Sequence, residues 1–167
     1  MPSFDVVIEP DWVELRHAVE QANREIATRF DFKGSSAQIE LAAAGAQTRE
    51  ITILGDSDFQ LEQMRGLLLA RLAKRGVDLR FLDFGATPQK IGGDRLRWPV
   101  AVKSGIDADT ARQVSALIKT RKLRVQGALQ GDIVRVSGAK KDDLQAAIAF
   151  LRRELSQWPL SFVNFRN

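Results

Sequence analysis

The feature that most constrains this chain is an internal repeat. Leu61, Leu68 and Leu72 answer to Leu144, Leu151 and Leu155. Glu50-Ile-Thr-Ile-Leu54 answers to Asp132-Ile-Val-Arg-Val136, and Leu79-Arg-Phe-Leu-Asp-Phe84 to Leu160-Ser-Phe-Val-Asn-Phe165. Two copies of roughly 75–80 residues are too long and too few for a solenoid. The 167 residues therefore read as two similar α+β units.

Periodicity and breakers give each copy the same order. Residues 3–8 read as a strand, and Pro10 suits the first turn of the helix that follows. Leu15, Val19, Ala22 and Ile26 form its apolar stripe, and it should end near Ala27. Residues 37–43 and 49–54 read as strands around a turn at Gly45. Ser57-Asp-Phe-Gln60 is a capping box that opens a second helix, buried through Leu61, Met64, Leu68 and Leu72. Lys74-Arg75-Gly76 stops that helix, and residues 78–84 form a strand. The breaker-rich stretch 85–94 reads as a linker. Then come a strand at 95–103, a helix capped by Asp107, strands at 123–130 and 132–137, a helix over 140–155 and a last strand at 160–165.

Each half thus reads β-α-β-β-α-β, the ferredoxin-like arrangement. Right-handed crossovers put both helices on one sheet face and leave the other face open unless something covers it.

Composition narrows the chemistry. The chain has no cysteine, one histidine and no tyrosine, so disulfides, thiol nucleophiles and histidine-cluster metal sites are excluded. His17 lies off the first helix's apolar stripe and reads as a surface residue without a triad signature. A carboxylate-only magnesium site stays open, though Asp56/Asp58 and Asp142/Asp143 sit at helix starts, where acids are expected anyway. No phosphate loop or dinucleotide fingerprint is present. No apolar run approaches the ~18 residues of a spanning helix, and the first ten residues lack a signal-peptide pattern. A cytoplasmic, non-catalytic binding protein without cofactor or metal is the expectation. Charge is uneven: residues 1–90 hold 11 Lys/Arg against 14 Asp/Glu, residues 91–167 hold 14 against 7. A basic second half suits a polyanion or nothing more than a soluble surface.

Two segments carry binding chemistry. Arg29-Phe-Asp-Phe-Lys-Gly34 supplies what a guanine nucleotide needs. Arginine meets the O6/N7 edge, a carboxylate the N1/N2 edge, an aromatic plane the base, and lysine the phosphate. On a regular strand Arg29, Asp31 and Lys33 share one face and Phe30 and Phe32 the other, which makes both phenylalanines core. The second segment is Lys119-Thr-Arg-Lys-Leu-Arg124, either a cationic helix end or a phosphate-binding corner. Lys122, Arg124, Gln126 and Arg135 would line that corner, the last three on the face opposite Leu123, Val125, Val134 and Val136. The four phenylalanines at 81, 84, 162 and 165 lack the pattern of an RNA-recognition motif, and the three tryptophans read as packing.

Met1-Pro-Ser-Phe-Asp-Val-Val7, Ala22-Asn-Arg-Glu25, Thr28-Arg-Phe-Asp-Phe-Lys-Gly34, Ser57-Asp-Phe-Gln60, Ala73-Lys-Arg-Gly76, Gly105-Ile-Asp107, Gln130-Gly-Asp132 and Asn164-Phe-Arg166 together resemble the YajQ family over essentially the whole chain. The resemblance implies tandem ferredoxin-like units with exchanged first strands. One unit would be 9–84 with strand 95–103, the other 104–167 with strand 3–8, and 85–94 would be the linker. It also implies a bacterial nucleotide-binding protein. Some members are cyclic di-GMP effectors acting through a transcription regulator, and nucleoside triphosphate and tRNA binding are associated with others. The chain departs from the family pattern in a longer, alanine-rich hairpin at Ala42–Thr48 and in Asn167.

The expectation is a cyclic di-GMP receptor without enzymatic activity. Arg29 and Asp31 read guanine. Lys33, Lys122 and Arg135 hold phosphates, with GTP and ATP as further ligands. An RNA- or ribosome-associated module and a metal-dependent phosphotransfer enzyme are the alternatives.

Overall fold

A computed structural model describes residues 1–42 and 50–167. The turn at Gly45, the longer hairpin and the strand ends at 43 and 49 lie outside the described residues. In chain order the elements are β1 (Ser3–Val7), α1 (Trp12–Thr28), β2 (Gln38–Leu41), β3 (Glu50–Gly55), α2 (Asp58–Lys74), β4 (Leu82–Asp83), β5 (Gln89–Ile91), β6 (Arg95–Val102), α3 (Ala108–Thr120), β7 (Val125–Gln130), β8 (Ile133–Gly138), α4 (Lys141–Glu154) and β9 (Ser161–Arg166).

Helix starts follow local chemistry. Asp11 caps α1 by accepting from the Glu14 N–H, so Pro10 precedes the cap rather than opening the first turn. Ser57 caps α2 through the Gln60 N–H. Gln60 returns its side-chain oxygen to the N–H of Asp56, one residue earlier than a regular capping box would place it. Asp107 caps α3 through the Thr110 N–H at 2.7 Å, and this bond holds the Asp107 carboxyl below its ordinary pKa. Helix α2 ends as expected, with Gly76 left-handed and the N–H groups of Gly76 and Val77 bonded back to Ala73 and Leu72.

The described residues form two compact units. The inserted unit is Pro10–Lys103; the flanking unit is Met1–Glu9 with Ser104–Asn167. The fold is mixed α+β, with two sheets and four helices, and is compatible with tandem ferredoxin-like units. In the inserted unit the strand order is β2-β3-β6-β4, with β5 added beside β6. In the flanking unit it is β7-β8-β1-β9. Thus β6 pairs with β3 and β4, and β1 with β8 and β9, all antiparallel.

The apolar faces lie under the helices. Ile51, Ile53, Trp98 and Val100 pack in one unit with Leu61, Met64, Leu68 and Leu72. Phe4, Val6, Val134 and Val136 pack in the other with Leu144, Ile148 and Leu151. Strands β3 and β8 each end on a closely packed glycine. A Cβ at Gly55 would lie 2.8 Å from Met64 and 3.1 Å from Leu61; at Gly138 it would meet Leu144 and the carbonyl of Arg124.

This placement corrects the repeat alignment. Ile51 and Ile53 are structurally equivalent to Val134 and Val136, one residue on from the sequence match, which put Ile53 opposite Arg135. A one-residue slip in a strand reverses every side chain, and burial decides the register.

Other expectations also change. Residues 79–81 form a short 3-10 turn, capped by Asp78, and only Leu82–Asp83 pair as strand. The stretch read as a linker carries β5, which pairs Gln89, Lys90 and Ile91 with Arg97, Leu96 and Arg95. Strand β7 begins at Val125 rather than 123, because the end of α3 uses the two residues before Arg124. Lys122 takes the left-handed conformation (φ 54°), and the N–H groups of Lys122 and Leu123 bond back to Lys119 and Ile118.

Candidate functional site

In the inserted unit the segment after α1 is not a strand. Phe30–Phe32 form a 3-10 turn, with Lys33 closing it onto the Phe30 carbonyl. At about three residues per turn, positions two apart do not share a face. Phe32 therefore points inward and is 4% exposed, whereas Phe30 stands in solvent at 88% exposure. The expectation that both rings are core holds for Phe32 and fails for Phe30.

Arg29 and Asp31 are brought together. The Arg29 Nε and an Nη donate to the two carboxylate oxygens of Asp31 at 3.1 and 2.8 Å. The guanidinium also lies over the Phe32 ring, 5.5 Å from its centroid. Gln63 of α2 donates to Asp31 at 3.3 Å. The hydrogen bond from Arg29 is the main cause holding the Asp31 carboxyl below its ordinary pKa, and the same bond raises that of Arg29. Downstream, the Ser36 N–H and hydroxyl both donate to Asp56. The segment is thus tied at two points, to Asp56 just before α2 and to Gln63 within it. Lys33 is exposed beside it.

In the flanking unit Gln126 and Arg135 do share the sheet face away from the helices. Gln126 stands opposite Ser137 and Arg135 opposite Ala128, two rungs apart with Gly127 opposite Val136 between them. Arg124 precedes the strand and is exposed. Lys122 is exposed on its left-handed corner, a conformation that favours glycine.

Arg135 already has a partner. Its Nε donates to Asp5 at 3.0 Å, on the adjacent strand and directly opposite in register. Asn164, itself left-handed where β9 slips register against β1, donates to the other Asp5 oxygen at 2.7 Å. Asp5 is 3% exposed. Burial pushes its carboxyl up, but the bonds from Arg135 and Asn164 and the charges of Arg135 and Arg166 outweigh it and hold the pKa below the ordinary value.

Sequence reasoning missed Asp5, Asn164 and Gln63, because each acts across strands or elements far apart in the chain. The one signal was an acid within the apolar strand Phe4–Val7.

The units also redistribute charge. The flanking unit holds 11 Lys/Arg and eight Asp/Glu, net +3; the inserted unit holds 14 and 13, net +1. The contrast between halves shrinks because acidic β1 and its neighbours join the flanking unit while Arg95, Arg97 and Lys103 join the inserted one. Among the described residues no cluster of three or more His, Asp or Glu can hold a metal ion. No helix among them is long and apolar enough to cross a membrane.

Two sheets, each with helices on one face and polar groups on the other, define a protein of mixed α+β class, and an exposed ring adjoins the Arg29–Asp31 ion pair in the chain. The family model of the YajQ-like nucleotide-binding proteins matches residues 2–166, and the chain belongs to that family. Nucleotide binding, rather than a catalysed reaction, is what describes the family.

Proposed function

We propose that the protein is a receptor for a guanine nucleotide, cyclic di-GMP, and acts from the cytoplasm through a protein partner such as a transcription regulator. The observation that carries the ligand is Phe30, an 88% exposed ring that falls between the paired Arg29 and Asp31 in the chain. Burying such a ring against a base is favourable for any base, and the flanking pair supplies the choice of guanine.

The pairing of Arg29 with Asp31 does not block that choice. Asp31 Oδ1 accepts from Arg29 alone and keeps acceptor capacity, Oδ2 already accepts from both Arg29 and Gln63, and the guanidinium keeps donors not used on Asp31. One donor of a guanine N1/N2 edge therefore adds at Oδ1 without displacing Arg29 or Gln63. Lys33 offers a phosphate contact in the same unit. On the flanking unit Lys122, Arg124 and Gln126 make up a separate candidate phosphate corner, where Lys122 holds a left-handed conformation that a glycine would adopt with less strain. Arg135 is the weakest of the proposed phosphate ligands, since Asp5 already neutralises it.

Calorimetric titration with cyclic di-GMP, GTP and ATP tests the reading. Heat with cyclic di-GMP, at least tenfold tighter than with ATP, is expected. No heat with any of the three removes it.

A second reading has its own observation. Arg121 and Arg153 both approach Glu154, at 3.9 and 3.5 Å, and both lie over the Phe150 ring. Lys119 and Lys122 flank Arg121 in the chain and Arg152 precedes Arg153, so cationic residues gather in this part of the sequence, a composition suited to RNA. RNA binding that weakens steeply with added salt supports it; salt-insensitive or absent binding excludes it.

A further inference from the structure

Phe59 belongs to a motif that the reading above leaves unused. It lies in the first turn of α2 and is 73% exposed, an unusual place for so large an apolar group. Residues four apart share a helix face about one turn, ~6 Å, apart, so Phe59 lies on the same face as Gln63. Gln63 bonds Asp31, the neighbour of Phe30. On the other side Asp56 bonds Ser36. Phe59 therefore falls in the chain between Asp56 and Gln63, the two residues that hold the 31–36 segment.

We infer that Phe59 is a second base-stacking residue of this site and that the ligand it takes is the second base of a dinucleotide. This rests on the placement of the first base at Phe30. Two exposed rings on separate elements, linked through a fixed Asp31–Gln63 bond, form two platforms with polar groups between them. Stacking needs only a flat face, so the second platform is tolerant of which base it receives. The carboxylates of Asp56 and Asp58 beside Phe59 disfavour phosphate there, so the ring receives base and not backbone.

The experiment compares GMP with cyclic di-GMP on the full chain, in the wild type and in Phe59→Ala, Phe59→Trp and Phe30→Ala. Both rings are exposed, so thermal midpoints should stay within a few degrees of wild type and report intact folding. Phe59→Ala should weaken cyclic di-GMP about tenfold or more and leave GMP within twofold. Phe59→Trp should restore cyclic di-GMP, and Phe30→Ala should weaken both ligands. Unchanged cyclic di-GMP affinity in Phe59→Ala overturns the second platform while leaving the receptor reading intact. Equal losses for GMP and cyclic di-GMP in Phe59→Ala also overturn it, since Phe59 would then serve the first base. Failure of the wild type to bind either ligand removes the receptor reading itself.

Discussion

The inserted and flanking units share a frame and differ in what they hang on it. In both, the strand equivalent to the first lies third in the sheet, and Leu61, Leu68 and Leu72 recur as Leu144, Leu151 and Leu155. On the opposite face the equivalents diverge. Arg135 and Asp5 face each other in one unit; Thr52 and Pro99 occupy the same positions in the other. There the charge pair is instead Arg97 with Glu50, at 2.8 Å. The edge rings differ too. Arg65 lies 4.6 Å from the Phe84 centroid, whereas the residue equivalent to Arg65 is Ile148, buried in the core, and Phe165 is left exposed. The equivalent positions agree where burial enforces them and differ where it does not.

The largest test is of the shared part. Leu68→Ala and Leu151→Ala remove equivalent, fully buried side chains. Each should cost about 3 kcal/mol in urea unfolding. A twofold disparity between them would break the equivalence of the two cores.

The next test is of the divergent part. Asp5→Ala strands Arg135 and Asn164 and should cost about 2 kcal/mol, whereas Thr52→Ala at the equivalent of Arg135 should stay near about 0.5 kcal/mol. The pH dependence sharpens it. The folded Asp5 carboxyl has a pKa below its ordinary value, so the unfolded chain binds more protons in acid. Its contribution is fully present above the ordinary carboxylate pKa of about 4 and is lost as pH falls through the folded value. Asp5→Ala should flatten the acid limb of a stability–pH curve; an unchanged limb would assign acid sensitivity elsewhere.

The smallest effect separates two helix ends built alike. Gly76 closes α2 and Lys122 closes α3, both left-handed. Lys122→Gly should stabilise by about 1 kcal/mol and Gly76→Ala destabilise by about as much. Should Lys122→Gly raise stability yet weaken nucleotide binding, the strain belongs to function.

What the sequence disclosed follows the same division. The apolar stripes were legible because 3.6-residue periodicity states burial directly, and Leu61, Met64, Leu68 and Leu72 are all buried. The caps at Asp107 and Ser57 were legible because capping is local. The alignment of Ile53 with Arg135 failed because similar residues on a strand can match one step out of phase, and only the helices above show which face is covered. Phe30 failed because a strand was assumed where the chain makes a tight turn. The ion pair of Asp5 with Arg135 spans 130 positions, and no local pattern reaches that far. Of the candidate site, Arg29 and Asp31 were singled out by residue type, but the strand that was to align them is a 3-10 turn, and neither their ion pair nor the outward turn of Phe30 was read.

The path of the chain has a further consequence. The first strand belongs in the sheet built by the last sixty residues, and the strand after the breaker-rich stretch belongs in the sheet that precedes it. Neither half of the chain therefore supplies every strand of one sheet. A gene cut at the midpoint would yield two products each missing a middle plank.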